Sequence, residues 1–116
     1  MNERNLSSRL FQFAVDVIKA TRGLPQTPEY KITTYQLLKA ATSSGANYEE
    51  SQGAVSKADF SNKVGISLKE MREANYWIRL IGATQEDQTT WTPLEKESEE
   101  LKKILGSIYS KTSKSR

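Results

Sequence analysis

The sequence contains neither cysteine nor histidine. Without cysteine there is no disulfide framework, no thiol nucleophile and no thiolate metal site. Without histidine the chain lacks the commonest general base near neutral pH and the commonest metal ligand. A Ser–His–Asp arrangement is therefore impossible, abundant as serine is. The Glu-x-x-His pairs that hold two metals in ferritin-like bundles could be only half supplied. Glycines number 6 and are scattered, so no Gly-rich phosphate loop is present. Long apolar runs are missing as well. Hydrophobic residues make up 36%, and no stretch approaches the ~20 residues of a membrane span. The opening MNERNLSSRL has no apolar segment followed by a small-residue cleavage site, which reads as a cytoplasmic chain without a secretory signal. These absences point away from an enzyme, a cofactor, a small-molecule substrate and a membrane.

What is present is helical periodicity. A chain of 116 residues fits one domain, 1–116, and the spacing of apolar residues predicts helices over about 5–22, 28–52, 56–81 and 93–110. A frayed basic tail is expected over 111–116. In the first helix Leu6, Leu10, Phe13, Ala14, Val17, Ile18 and Thr21 share a face, and Gly23 and Pro25 end it, the glycine as a left-handed cap. Thr27-Pro28 opens the second, with Tyr30, Thr34, Leu37, Leu38, Ala41, Gly45 and Tyr48 as its stripe. Its small-residue run, Ala40 to Ala46, predicts close approach of another helix. Ser56-Lys57-Ala58-Asp59 reads as a capping box for the third, and Gly82 as its stop. Phe60, Val64, Leu68, Met71, Asn75 and Ile78 form one stripe of that helix. Ile66, Glu70, Glu73, Trp77 and Ile81 form a second, so it should touch two neighbours. A second capping box, Thr92-Pro93-Leu94-Glu95, opens the fourth, whose inner face is Leu94, Leu101, Ile104, Leu105 and Ile108. The expected fold is all-α: an up-down-up-down antiparallel four-helix bundle.

Charge is unevenly placed. Residues 1–85 carry eleven bases and eight acids, residues 86–100 one base and six acids, and residues 101–116 five bases and no acid. Acids early and bases late on one helix complement its macrodipole. The acid-free end makes Lys102, Lys103, Lys111 and Lys114 the candidate nucleic-acid contacts. Glu70 and Glu73 share a helical face, but without histidine they read as solvated or salt-bridged carboxylates rather than metal ligands. Asn47 and Glu50, with Ser43, Ser44 and Ser51 nearby, could form a register-fixing polar network, an exposed face or a partner contact.

The run Leu37 to Glu50, then Ser56-Lys57-Ala58-Asp59-Phe60 with Lys63, then Leu68 to Trp77, resembles the four-helix-bundle family of 23S rRNA-intervening sequence proteins. The resemblance extends from about Leu10 to Tyr109. It implies a left-handed bacterial bundle without enzymatic activity that assembles into a homo-oligomeric, pentameric ring. A related branch comprises the accessory proteins of diversity-generating retroelements, which bind a reverse transcriptase and its RNA. The recurrent polar positions map to Ser44, Asn47, Glu50, Ser56, Lys57, Asp59, Phe60, Glu70 and Glu73. Two functions follow as expectations: an oligomeric scaffold on structured RNA, or a protein-assembly module that touches no nucleic acid.

Overall fold

The computed structural model describes residues 5–114, the last of them in its backbone only. Four helices account for nearly all of it: α1 (Leu6–Thr21), α2 (Pro28–Ser51), α3 (Lys57–Ala83) and α4 (Trp91–Lys114). No strand occurs among the described residues.

The helix ends follow from local chemistry. The Thr27 hydroxyl accepts from the Tyr30 N–H at 3.4 Å, with Pro28 at the first helical position. At α3 the Ser56 hydroxyl accepts from the Asp59 N–H at 3.0 Å, and the Asp59 carboxylate accepts from the Val55 N–H at 3.2 Å. The reciprocal arm of this box thus reaches one residue before the cap. Three expectations need correction. No described glycine has a positive φ; α1 closes through bonds from Gly23 N–H to Ala20 O and Leu24 N–H to Thr21 O, without a left-handed residue. Gly82 does not stop α3, which passes through it to Ala83; it packs beside Trp91, whose Cβ would lie 3.4 Å from an added Cβ. Thr92 does not cap α4. That helix starts at Trp91, after a turn in which the Asp87 carboxylate accepts from the Thr89 N–H at 2.9 Å and the Thr92 N–H reaches Gln88 O at 3.0 Å. Pro93 still falls in the first turn, where its missing N–H costs nothing. α4 continues to Lys114, past the expected fraying point, with the Thr112 hydroxyl back-bonded to Ile108 O and Tyr109 O.

Each helix packs on two neighbours, in the order α1, α2, α3, α4 and back to α1, most extensively at α2–α3 and α3–α4. The Tyr30 hydroxyl, early in α2, lies 2.6 Å from that of Thr84 and accepts from Gln85 Nε2, beyond the end of α3. Late in α2, Glu50 meets Lys63 near the start of α3 at 3.0 Å. Between α3 and α4, Asn75 reaches Ser98 at 2.8 Å, while Gly65 lies against the Tyr109 ring.

The core is built from Leu6, Leu10, Phe13 and Val17 of α1, Leu37 and Tyr48 of α2, Val64, Met71, Ile78 and Ile81 of α3, and Leu101 and Leu105 of α4. Small residues are buried on both α2 and α3, Ala40, Ser44 and Ser51 on the first and Ser67 and Ala74 on the second, and Ser44 meets Ser67 across the seam. The Ser44 hydroxyl donates to Ser67 O at 2.8 Å, and the Ser67 hydroxyl donates to Ser44 O at 2.7 Å. Gly45 sits on Leu10 of α1, where an added Cβ would make ordinary contact at 3.6–3.8 Å. One buried hydroxyl among the described residues, that of Ser61, has no hydrogen-bond partner.

This contrast is measurable by thermal or urea unfolding. Ser44→Ala removes a made hydrogen bond and should cost about 0.5–1.5 kcal/mol. Ser61→Ala removes a desolvated, unpaired hydroxyl and should be neutral or stabilising. Equal losses at the two positions would show that the seam hydrogen bonds do not govern stability.

Candidate nucleic-acid interface

The polar residues that the sequence singles out go to several different places. Ser44 is in the α2–α3 seam, and Ser56 and Asp59 cap α3. Asn47 turns back on its own helix, Nδ2 donating to Ser43 O at 2.9 Å and to the Ser43 hydroxyl at 3.1 Å. Glu50 pairs with Lys63 on the surface, holding the lysine pKa above its ordinary value through that hydrogen bond and the attraction behind it. Glu73 accepts from Trp77 Nε1 at 3.1 Å, Glu70 is half-buried, and Lys57 is exposed in the first turn of α3. The eight residues Ser44, Asn47, Glu50, Ser56, Lys57, Asp59, Glu70 and Glu73 therefore do not close into one network.

Two polar clusters that hold α4 went unread in the sequence. Arg9 of α1 grips α4 from the side. Its Nε donates to Glu97 Oε2 at 2.9 Å and Nη2 to Glu97 Oε1 at 2.6 Å, while Nη1 reaches Glu100 at 2.9 Å. This two-pronged fit to a carboxylate is geometry that only a guanidinium offers. The Glu97 hydrogen bonds, aided by Glu100, raise the Arg9 pKa further. On the other flank Asn75 of α3 donates to the Ser98 hydroxyl at 2.8 Å and to Glu99 at 3.1 Å, and accepts from Arg79 Nε at 3.0 Å. Asn75 is buried, so these bonds answer what would otherwise be an unpaired amide. An acidic first half of α4 facing a lone arginine on α1 was the only trace of the first cluster. Asn75 within an apolar stripe was the trace of the second.

The candidate lysines divide accordingly. Lys102 pairs with Glu99 at 2.8 Å, three residues back on the same helix. Its charge is thus met locally, contrary to the expectation for an acid-free end. Lys103 is exposed in a shallow surface hollow with Glu95, Lys96, Glu99 and Glu100. Lys111 is exposed further along α4, and the Lys114 side chain lies outside the described residues. Close by, Thr112 lines a cleft with Val55, Ser56, Lys57 and Phe60, which brings the end of α4 to the α2–α3 turn.

A family model described as 23S rRNA-intervening sequence protein matches residues 4–107. The chain belongs to that family. A crystal structure of a protein of unknown function, from the S23 ribosomal protein family of Bacteroides thetaiotaomicron VPI-5482, superposes on it with a TM-score of 0.81. The two chains are 32% identical, over 90% of this chain and 97% of the other. The curated proteins contain no match. No described helix of the chain is long and apolar enough to cross a membrane.

The Glu99 carboxylate is held below its ordinary pKa, first by the Lys102 hydrogen bond and then by Lys102 attraction, Asn75 and Lys103. A depressed carboxylate contributes stability above its unfolded pKa, ~4.3, and loses it as pH falls through the folded value. Glu99→Gln should therefore lower the Tm at neutral pH, and the gap to the native protein should close on acidification below about pH 4. Thermal melts of both proteins across that range test this, and a gap constant with pH would exclude the ionised Glu99 as its source.

Proposed function

We propose that this chain is a non-catalytic, homo-oligomeric scaffold, pentameric when assembled, that binds structured RNA or an RNA–protein complex. In this reading each subunit is an up-down-up-down antiparallel bundle of left-handed sense, working in the cytoplasm, and a reverse transcriptase is one RNA–protein partner it could serve. The observation that carries the RNA reading is the segregation of charge along α4. Glu97 and Glu100 are engaged by Arg9, and Glu99 by Asn75 and Lys102, all in the first half of the helix. Lys111 follows Glu100 by eleven residues, a rise of ~16 Å. That exceeds the ~8 Å screening length at physiological salt, so the acids do not neutralise it. Family membership gives the same direction by analogy, which is a weaker support than the charge placement.

Self-assembly is supported by apolar side chains left outside the core. Phe11 is 72% exposed on α1, and Ile32 and Tyr35 are each 63% exposed, three residues apart on α2. A ring would cover such side chains and repeat each subunit's cations, raising avidity without new contacts. The same exposed apolar side chains favour the second reading, a protein-assembly module without nucleic acid.

Fluorescence anisotropy with a structured RNA should show binding that weakens log-linearly with salt, at about −0.7 to −0.9 per phosphate contact. Replacing Lys102, Lys103, Lys111 and Lys114 together by Gln should flatten that slope and lower affinity at every salt. No binding by the native protein even at low salt would leave the assembly module. Separately, the double variant Ile32→Ser, Tyr35→Ser should shift the mass measured by light scattering toward the monomer. An unchanged oligomer would place its interface elsewhere.

A further inference from the structure

A cleft of about 440 Å³ opens between α3 and α4, bordered by Asn62, Gly65, Leu68, Lys69, Arg72 and Tyr109. Its size is in the range of small-ligand sites, and no acidic residue lines it. Gly65 is its structural key. A Cβ at that position would lie 2.8 Å from Tyr109 Cε1, so only glycine lets the phenol ring rest against the backbone of α3. The ring is half-buried, and no described residue bonds to its hydroxyl. Lys69 and Arg72 are exposed, and neither has an ion-pair partner among the described residues. They differ in this from Arg9, Lys63 and Lys102, whose charges are engaged within the fold.

The cleft is one end of a longer stripe. Asn62, Gly65, Lys69, Arg72, Tyr76 and Arg79 recur at steps of three and four, which keeps them on one face of α3. The Arg79 guanidinium lies 5.9 Å from the Tyr76 ring centroid, a cation over an aromatic face. Cations alternating with aromatic rings along a groove suit a strand with free bases: phosphates meet the charges and bases stack on the rings. A duplex cannot use the rings, because its bases are already stacked and a narrow groove closes off their edges.

We propose that the α3–α4 cleft binds an unpaired nucleotide of RNA, with its base against Tyr109 and its phosphate between Lys69 and Arg72. This rests on the RNA reading above and adds that the recognised part of a structured RNA is a single-stranded loop or end. It also adds a contact between α3 and α4 to the lysines toward the end of α4.

The test is anisotropy with a labelled, unstructured RNA oligonucleotide and the same oligonucleotide annealed to its complement, each titrated with the full chain. The single strand should bind more tightly than the duplex. The double variant Lys69→Gln, Arg72→Gln, both on the surface, should reduce the salt slope by about one to two. Tyr109→Leu should weaken single-strand binding about tenfold or more, whereas Tyr109→Phe should retain it. Thermal melts confirm that each variant is folded, and the lysine–arginine pair decides the matter if Tyr109→Leu is not. If the native protein binds neither RNA, the RNA reading itself falls, and this site with it. If the native protein prefers the duplex, or if the cleft variants bind as it does while Lys103→Gln, Lys111→Gln weakens binding, the cleft assignment is wrong and the RNA reading stands.

Discussion

The arrangement of the bundle depends on the exchange of hydrogen bonds between Ser44 and Ser67. Each hydroxyl donates to the other residue's carbonyl across the buried seam between α2 and α3. Sliding α3 by one turn would set Met71 where Ser67 stands and remove the hydroxyl that bonds Ser44 O, a hydrogen bond worth about 0.5–1.5 kcal/mol. Apolar packing alone has no such preference, since neighbouring leucines and isoleucines accept several registers. Once the seam is set, Tyr30 falls within reach of Thr84 and Gln85 at one end, and Glu50 within reach of Lys63 at the other. These outer contacts follow the register rather than determine it, because they are partly solvated and ion pairs of that kind are worth little.

α4 is held differently. It has a well-defined apolar face of Leu94, Leu101, Leu105 and Ile108, but its angular setting between α1 and α3 is fixed by polar grips on both flanks. Arg9 holds one side through two carboxylates, and Asn75 holds the other through Ser98 and Glu99. The acids that open α4 thus serve both its dipole and its docking. One consequence is that Lys102 is paired with Glu99 and Lys103 shares a hollow with Glu95, Glu99 and Glu100, whereas Lys69 and Arg72 on α3 have no ion-pair partner among the described residues. The surface available for an anionic partner is shaped by which acids the fold has already used.

Much of the fold is legible in the sequence where local chemistry decides it. The face of α1 and the caps at Thr27 and Ser56 follow from periodicity and side-chain hydrogen bonding within a few residues. The seam was legible on its α2 side, where the small run Ala40 to Ala46 pointed to close approach, but not on α3. Ser61, Ser67 and Ala74 are small and buried, and a pattern that searches for large apolar residues passes over them. The expected stripe of α2 accordingly favoured Thr34 and Gly45, and that of α3 favoured Leu68, each displaced toward the flank. Gly82 shows a related limitation: a glycine near a helix end reads as a stop, but here it is buried inside the last turn of α3, beside Trp91. The Arg9 grip spans 88 residues of sequence, and nothing local announces a pair at that distance.

The site was legible only as composition. An acid-free end of α4 suggested lysines as contacts, yet a count of charges along the chain cannot say which are free in the folded state. Lys102 carries the same formal charge as Lys69, but Glu99 lies 2.8 Å from its ammonium. Gly65 and Tyr109 are 44 positions apart and individually unremarked, and only the packing of α3 against α4 makes them one surface. A formal charge of +3 per chain is therefore a poor measure of how the protein presents itself to an anion. The relevant field is local, because screening at physiological salt limits each exposed charge to about 8 Å. A cleft with two unengaged cations, no carboxylate and an aromatic wall can be attractive to a nucleic acid on a protein that is nearly balanced as a whole.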